Sequence, residues 1–508
     1  MKIIAYDLGT GGIKASLFDA NGISLADSFI QYDTFYPDSK WHEQKPIDWW
    51  NGVCRSTKIL LEKSASDPKE IACIALSGHS LIAVPLDKNG NLLTEYVPIW
   101  SDTRASDCVK DFFSSLLYED WYMTTGNGDP PECYSIIKLM WMKRHQPDIF
   151  KKIDKILGSK DFINYKLTGV QYTDPSYASG FGVFNLLKWD YEDRFFEAAG
   201  IKKKIFTEIL PTDSVIGNVT YEAAIATGLA EGTPVACGAV DNTCMALGAR
   251  GIGEGRVYTS LGSSSWIAVT SQKPVLDVKT RPFVFAHAQK GYYTSAVSIF
   301  SAGNSFRWVR DNICKDIVDD DIYDKMNEMV RNVSLGSNGI LFNPTLAGGS
   351  AQEISPNMRG AFFGLSLANT REDMVHAAME GITMALKEVL DILLSSIELE
   401  KEMLICGGGS KSIVWRKIFA DIFDKDIVKT NIDQDAATLG AAAIAAKAVG
   451  IWADYKNIDR IHKVESIEKP VQENVRKYKV LLDIFRKLTI PIAELGDKMQ
   501  LLHEKGIW

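Results

Sequence analysis

The sequence predicts an α/β protein with two domains, each organised around a β-hairpin that turns through small residues. Three observations lead to this prediction. The chain has 508 residues, which is too long for one hydrophobic core. Short apolar strands alternate along it with segments of helical periodicity. A strand that enters a glycine-rich turn occurs near the N-terminus, again at Gly262 and again at Gly407.

The composition is that of a globular protein, with 46% hydrophobic residues, 24% charged residues and a net charge of −8. No cluster of Lys and Arg is interleaved with aromatic residues, which argues against a nucleic-acid partner. The most apolar segment, Ala436–Ala453, is interrupted by Lys447, so we expect a buried helix and no membrane span. The N-terminal residues reach a turn too early for a signal peptide. The eight cysteines form no CxxC pair, which favours reduced thiols in a cytoplasmic protein.

The first hairpin joins strands Lys2–Tyr6 and Ile13–Phe18 through Asp7-Leu8-Gly9-Thr10-Gly11-Gly12. Because glycine has no Cβ, such a turn lets the backbone approach a ligand closely. A plain turn is the alternative. Lys14 follows the turn and is either a donor to a ligand or a surface lysine. The pattern matches neither GxxxxGK[ST] nor GxGxxG.

Strands and helices then alternate up to about residue 182. Buried strands at Ile71–Leu76 and Val97–Trp100 lead into two polar turns, the first with His79 and Ser80 and the second with Asp102. A further hairpin is expected at Ala83–Leu86, with its turn at residues 88–91. Lys138 is expected to snorkel or to pair. Helices are expected at Ile47–Leu61, Cys133–His145 and Ser159–Gly169, and a polar loop at Thr173–Gly182.

The central stretch, Gly232–Val269, combines two features. The apolar run Pro234–Val240 ends on Asp241, where a buried strand opens into a turn. This carboxylate is either a general base or the N-cap of a helix. Strand Val257–Leu261 then enters the turn Gly262-Ser263-Ser264-Ser265, whose backbone N–H groups can hold phosphate. An ordinary hairpin is the alternative.

The remaining chain is expected to be mainly helical. A strand at Met403–Ile405 ends in Cys406-Gly407-Gly408-Gly409-Ser410, and beyond about residue 455 the pattern indicates an amphipathic terminal helix. The other expected helices are Ser301–Arg310, Arg371–Ser396, Ser412–Phe423 and Ala436–Val449.

Three small-residue loops and a strand-end Asp, in this order, favour a β-hairpin domain that occurs twice with a nucleotide between the halves. The pattern resembles the FGGY carbohydrate kinases, in the actin/Hsp70-like superfamily of ribonuclease H-like folds, over roughly residues 1–450. Asp7–Ala15 is similar to the first phosphate hairpin of the family, and Trp41–Trp50 and Ile99–Ala105 are similar to further family segments. One signature matches at Ser135, Lys138, Trp141 and His145, with Cys133 as a departure. The C-terminal signature matches at Gly360, Phe362, Gly364, Leu365, Asp373, Met374, Ala377, Ala378, Met379 and Glu380.

The resemblance implies an ATP-dependent carbohydrate kinase that binds ATP and sugar in the cleft between domains 1–248 and 249–508. Asp241 matches the catalytic base, and Asp7 the acid that helps to hold Mg²⁺. A small-molecule sugar or polyol is the implied partner, and the family suggests a homodimer. A hinge is expected near Ala249–Glu254. The implied nucleotide-binding residues are Thr10, Gly11, Gly12, Lys14, Gly262, Ser263, Gly303, Phe306, Arg307, Gly408, Gly409 and Ser412. The implied sugar-binding residues are His79, Ser80, Trp100, Asp102, Asp241 and Asn242.

The substrate stays open at this point. Xylulokinases usually carry Gly-Gln-Met-His-Gly where this chain has Gly78-His79-Ser80-Leu81-Ile82, and glycerol kinases place Arg-Glu at Ser80 and Leu81. His79 is either a hydroxyl partner or a core histidine, and Asp102 is either a ligand or a cap. A ketopentose is the expected substrate, and another small polyol or ketose (tetritol, glycerol or hexulose) is the second choice. Outside the active kinases, the same residues fit a non-catalytic ATPase or sensor, or an inactive relative that binds only sugar.

Overall fold

The computed structural model describes residues 1–318, 321–433 and 435–507. In its first 248 residues the strands are β1 (Lys2–Gly9), β2 (Gly12–Asp19), β3 (Ser24–Gln31), β4 (Phe35–Asp38), β5 (Trp41–Gln44), β6 (Ile71–Gly78), β7 (Val84–Leu86), β8 (Val97–Pro98), β9 (Lys155–Leu157), β10 (Tyr172–Thr173), β11 (Phe184–Asn185), β12 (Asp190–Tyr191), β13 (Glu208–Ile209), β14 (Val215–Asn218), β15 (Pro234–Ala236) and β16 (Ala239–Val240). The helices are α1 (Pro46–Lys63), α2 (Ser106–Phe112), α3 (Tyr118–Thr125), α4 (Ser135–His145), α5 (Pro147–Phe150), α6 (Ser159–Thr168), α7 (Pro175–Ala178), α8 (Asp193–Ala199), α9 (Tyr221–Thr227) and α10 (Asp241–Gly248).

In the rest of the described chain the strands are β17 (Arg256–Leu261), β18 (Ser265–Ser271), β19 (Phe283–Ala286), β20 (Tyr293–Ile299), β21 (Leu341–Asn343), β22 (Ala361–Phe363), β23 (Glu402–Cys406), β24 (Asp426–Thr430) and β25 (Val464–Glu468). The helices are α11 (Gly303–Ile313), α12 (Ile322–Val330), α13 (Arg371–Leu394), α14 (Ile413–Phe423), α15 (Ala436–Ala448), α16 (Asn457–Ile461) and α17 (Gln472–Glu504).

The largest sheet of each half is built on the same plan. In the first, the strand order is β14-β15-β6-β1-β2-β3, and in the second it is β19-β20-β18-β17-β23-β24-β25. The hairpin β1–β2 corresponds to β17–β18, and each first strand pairs in parallel with a later one, β6 or β23. The outer strands also agree in direction, because β15 and β24 are parallel to β6 and β23. This repeat confirms the predicted fold of two hairpin-centred α/β units.

The halves are joined by two helices that cross closely. Helix α15 packs on β1 and β6 of the first sheet, while Ala246 and Ala249 at the end of α10 pack on the second sheet. A Cβ on Gly248 would lie 1.8 Å from the carbonyl oxygen of Ala436, and one on Gly440 would lie 1.9 Å from that of Cys244. The alanine-rich composition of α15 therefore reflects its position between the halves, and the predicted burial of this helix is confirmed.

Most predicted elements are confirmed within a few residues, and three expectations are wrong. β7 pairs with β9, and only an isolated bridge joins Leu86 to Leu92, so no regular hairpin forms at residues 83–91. The stretch 173–182, expected to be a loop, contains α7, which begins at Pro175 under a cap from Asp174. Of the two alternatives for Lys138, snorkelling is wrong, because its buried Nζ donates to the carbonyl oxygens of Leu81 (3.1 Å) and Ile99 (2.5 Å).

Two expectations based on composition concern the state of the cysteines and the presence of membrane-spanning helices. The eight cysteines are free thiols, and all except the half-buried Cys54 are buried. Across the described ranges, no helix is both long and apolar enough to cross a membrane.

Candidate active site

Three polar turns meet at one edge of the first sheet because of the strand register. Leu8 of β1 lies opposite Gly78 of β6, and Gly78 lies opposite Val240 of β16. Gly9 therefore ends β1 at this level, while His79 directly follows β6 and Asp241 directly follows β16. Parallel neighbours end at the same edge, so the first hairpin turn, the His79 turn and Asp241 are brought together. The backbone N–H of His79 donates to the carbonyl oxygen of Leu8 at 3.0 Å, which fixes this register.

Asp241 is the first residue of α10, and its carboxylate lies near a second acid, Asp7. Its Oδ1 accepts the backbone N–H of Asn242 at 2.8 Å. Burial, together with the nearby charge of Asp7, raises the pKa of Asp241 to about 7. Val240, and not Asp241, occupies the N-cap position, and no side chain caps the helix there. The cap alternative is therefore disfavoured.

Asp7 lies on β1, two residues before Gly9. The Ser77 hydroxyl donates to its Oδ1 at 2.5 Å. Burial raises the pKa of Asp7, while that hydrogen bond and the charge of Lys14 oppose the rise. Asp7 and Asp241 are thus two half-buried acids whose charges repel each other.

Lys14 is paired across the two halves. Its Nζ forms an ion pair with the Asp435 carboxylate, immediately before α15. The side chain is 26% exposed, so the simple surface-lysine alternative does not describe it. On the same hairpin, a Cβ on Gly11 would meet nothing within 4 Å, whereas one on Gly12 would lie 2.6 Å from the carbonyl oxygen of Ile30. Gly12 is thus required by the sheet, and Gly11 leaves open space.

The second hairpin turn is held against the start of α11. The backbone N–H of Gly303 donates to the Gly262 carbonyl oxygen at 2.9 Å, and that of Asn304 donates to Ser263 at 2.9 Å. A Cβ on Gly303 would lie 2.3 Å from the Gly262 oxygen, so glycine is required there. Arg307 reaches the Ser263 hydroxyl at 3.4 Å. The structure therefore brings four of the predicted nucleotide residues together.

The third glycine loop packs behind the second hairpin. A Cβ on Gly409 would lie 2.4 Å from the Leu261 side chain, whereas Gly408 faces open space. Ser412 caps α14 at the N–H of Trp415 (3.1 Å), and its hydroxyl donates to Asn327 Oδ1 at 2.6 Å. Phe306 is buried, with its ring centroid 4.8 Å from that of Trp415. Ser412 and Phe306 therefore have clear structural roles, and a role in nucleotide binding stays a prediction for both.

His79 and Trp100 differ in exposure. The His79 ring is buried edge-on to Trp49, with Nε2 3.2 Å from Gln44 Oε1, and its Nδ1 has no hydrogen-bond partner among the described residues. Burial lowers the pKa of His79 to about 3, so the ring is neutral at pH 7. Trp100 is 44% exposed, and its Nε1–H donates to Thr10 Oγ1 at 2.9 Å. An exposed indole thus stands beside the first hairpin turn, while Ser80 is buried next to His79.

Asp102 is buried and fully engaged with protein groups. Its carboxylate accepts the backbone N–H of His42 at 2.7 Å and binds the Arg104 guanidinium at 2.7–3.0 Å. The same guanidinium binds Glu43 and stacks over the Trp41 ring at 4.0 Å. This arrangement supports the turn that carries Trp100. Contact between Asp102 and sugar stays a prediction, and the geometry favours a structural role.

Two side chains at this site escape prediction from the sequence. Ser77 hydrogen-bonds Asp7. Gln44 links the first hairpin to His79, since its Nε2 donates to the Thr10 carbonyl oxygen at 2.8 Å. Position offers one signal for Ser77, because it is the polar residue that ends an apolar strand. No local signal identifies Gln44.

Comparison with known proteins identifies the family and agrees with the observed fold. The N-terminal domain of the FGGY family of carbohydrate kinases matches residues 2–248, and its C-terminal domain matches residues 257–449. Xylulose kinase of Bacillus subtilis (strain 168) is 27% identical over 501 residues, covering 98% of both chains. Gluconokinase of the same strain is 28% identical over 502 residues, covering 96% of this chain and 95% of that one. The crystal structure of ligand-bound xylulose kinase from Lactobacillus acidophilus aligns with a TM-score of 0.91 at 26% identity, covering 98% of this chain and 99% of that chain. The chain belongs to the FGGY family of carbohydrate kinases and is an ATP-dependent carbohydrate kinase.

Proposed function

We propose that the protein transfers the γ-phosphoryl group of ATP to a hydroxyl of a ketopentose such as xylulose, with Asp241 as the general base. The observation that carries the proposal is the register that brings Asp241 to the same sheet edge as the first hairpin turn and His79. A base with a pKa near the working pH is well matched to taking a proton from a hydroxyl.

The chemistry follows from these side chains. Asp241 orients the sugar hydroxyl and accepts its proton as the new O–P bond forms and the bond from the γ-phosphorus to the ADP oxygen breaks. Backbone N–H groups of the two hairpin turns, with Ser263, Arg307 and Lys14, balance negative charge on the phosphate oxygens. Residues 249–508 would carry most of the nucleotide contacts, and residues 1–248 the sugar contacts.

The residues at this edge fit Mg²⁺. Asp7 and Asp241 are half-buried acids whose mutual repulsion a cation would relieve. The described residues contain no group of three or more His, Cys, Asp or Glu side chains arranged to hold a metal ion. Mg²⁺ suits such a site because it takes few carboxylates and keeps several waters and phosphate oxygens. When bound with ATP it would neutralise phosphate charge, and Asp7 is the residue that we assign to it.

The cationic side chains Arg104 and Lys138 are already engaged with protein groups, which favours a neutral ketose over a sugar acid as the substrate. Gluconokinase is among the relatives, and gluconate carries a carboxylate that needs a cationic partner. Arg104 is committed to Asp102 and Glu43, and Lys138 donates to two backbone carbonyls. The exposed indole of Trp100 instead offers a stacking surface for a neutral ring or chain. We therefore place xylulose ahead of gluconate and of the remaining small polyols and ketoses.

The test is a coupled assay of ADP release with Mg²⁺ and ATP against ketopentoses, gluconate, glycerol, tetritols and hexuloses. A single strong response to a ketopentose is expected. A strong response to gluconate alone would contradict the argument from the cations. Silence across the panel with ATP still bound would favour a non-catalytic relative. A cytoplasmic location and a homodimer remain predictions, the second to be tested by light scattering.

A further inference from the structure

A buried network of hydrogen bonds and ion pairs holds the loop that precedes Asp241. The network contacts the neighbouring residues and not Asp241 itself. The backbone N–H of Val240, the residue before Asp241, donates to Ser176 Oγ at 3.0 Å. The Ser176 hydroxyl donates in turn to Asp174 Oδ2 at 2.5 Å. One side chain therefore joins the residue before the proposed base to a carboxylate on another segment.

The carboxylate is held by a lysine at the start of α6. Lys160 Nζ lies 3.0 Å from Asp174 Oδ1 and 2.5 Å from Asp161 Oδ1, and all three side chains are completely buried. Lys160 also donates to the carbonyl oxygen of Cys237 at 3.1 Å, and Asn164 donates to the same oxygen at 2.8 Å. The loop 237–240 is thus held at both ends, at Cys237 and at Val240.

The same helix end supports the neighbouring turn. Ser159 Oγ and the Tyr177 hydroxyl each donate to the carbonyl oxygen of His79 at 2.9 Å. A Cβ on Gly78 would lie 2.8 Å from Ser159 Oγ and 2.9 Å from Lys160 Cβ. One buried cluster therefore fixes the backbone positions of both His79 and the loop before Asp241 relative to the first hairpin turn.

The composition of this cluster needs an explanation beyond stability. The desolvation penalty of a buried ion pair is often only balanced by its Coulomb energy. Apolar residues would therefore stabilise this part of the core equally well. Hydrogen bonds from charged groups are directional, however, and they fix the backbone atoms that they contact. Displacing a reacting group by about 1 Å costs about 100-fold in rate, so such fixing has value next to a base.

We propose that Ser176, Asp174 and Lys160 are positioning residues for the base Asp241, acting through the backbone of Val240 and Cys237. The inference rests on the proposed function. It adds residues from two segments, 159–164 and 174–176, that lie outside every predicted site. Ser176 is the most informative position, because removing its hydroxyl unties Val240 and leaves the Lys160–Asp174 pair in place.

The test compares Ser176→Ala with Thr227→Ala in the full-length enzyme. Thr227 is also completely buried, and its hydroxyl donates to the Ala223 carbonyl oxygen at 2.6 Å, within α9. Ser176→Ala should lower kcat about 10- to 100-fold and leave KM for ATP within about twofold. Thr227→Ala should lose similar thermal stability with kcat unchanged.

The split between kcat and KM gives a readout that a purely structural role would not produce. A displaced base slows the chemical step, so kcat should fall in Ser176→Ala while KM for ATP stays nearly unchanged. Equal kcat values in the Ser176 and Thr227 variants would overturn the inference. If Ser176→Ala does not fold, Asp174→Asn, which leaves Lys160 paired with Asp161, must show the same loss of kcat.

Asp241→Asn, measured alongside, separates this inference from the proposed function. Near-normal turnover in Asp241→Asn would overturn both. A large loss in Asp241→Asn with no effect in Ser176→Ala would overturn only the positioning role.

Discussion

At the scale of single residues, Asp241 gives the most direct prediction. We expect Asp241→Asn to lower turnover by several orders of magnitude, because the amide cannot accept the hydroxyl proton. Nucleotide binding should persist, since the two hairpin turns are intact. Turnover and ADP affinity, the latter by calorimetry, check both statements. Asp148→Asn is the control, because Asp148 is an exposed carboxylate on α5. Near-normal turnover in Asp241→Asn would exclude the role as base.

The same carboxyl predicts an effect of pH on stability. The pKa of Asp241 is about 7 in the folded chain against 3.8 for the unperturbed group. Between these values the folded state binds more protons than the unfolded state, so stability falls as pH rises from about 4 to about 7. We expect Asp241→Asn to raise Tm relative to the parent at pH 8 and to leave it nearly unchanged at pH 4. A lower Tm at pH 8 would contradict the raised pKa of this acid.

At the scale of elements, the close crossing of α10 and α15 can be tested through one glycine. Alanine is intrinsically better than glycine inside a helix by about 1 kcal/mol. A Cβ on Gly440 would nevertheless lie 1.9 Å from the Cys244 carbonyl oxygen, so Gly440→Ala must push the helices apart. We expect a net loss of thermal stability. Gly253→Ala is the control, because its nearest neighbour would be 3.8 Å away. Equal Tm values for the two variants would contradict the crossing.

The elements that are predicted correctly are those whose signals are local. Glycine in the hairpin turns and the apolar runs beside them indicate the strands and the turns, and Asp241 after an apolar run indicates where α10 begins. The role of Asp241 as a base stays a prediction. Two of the wrong expectations depend on distant partners, whereas the third, the loop at residues 173–182, misses a local helix start at Pro175. β7 pairs with β9 about seventy residues later along the chain, and Lys138 is held by the carbonyls of Leu81 and Ile99. Asp102 could not be assigned for the same reason, since its partner His42 is 60 residues away.

At the scale of the whole molecule, the two halves contact each other through charged groups that lie beside the proposed phosphate site. The first hairpin and the start of α15 are joined by the ion pair between Lys14 and Asp435. The second hairpin is backed by Gly407, whose N–H donates to Asp433 at 2.5 Å. Two carboxylates just before α15 therefore each contact a glycine-rich region. Asp435 pairs with Lys14 beside the first hairpin turn, and Asp433 accepts the N–H of Gly407 in the third glycine loop. An incoming triphosphate would compete with Asp435 for the Lys14 ammonium group.

This competition predicts an effect on nucleotide affinity. Asp435→Asn removes a negative charge next to the hairpin without changing the size of the side chain, so ADP and ATP should bind more tightly. Charges about 4 Å apart interact by about 1 kcal/mol in water and more when partly buried, which corresponds to a several-fold fall in Kd. Calorimetry at low ionic strength measures it, and added salt should shrink the difference because exposed charges are screened. Glu473→Gln, an exposed change on α17, is the control. Weaker binding in Asp435→Asn would mean that Asp435 serves chiefly to hold Lys14 in place for the phosphate, and not as its competitor.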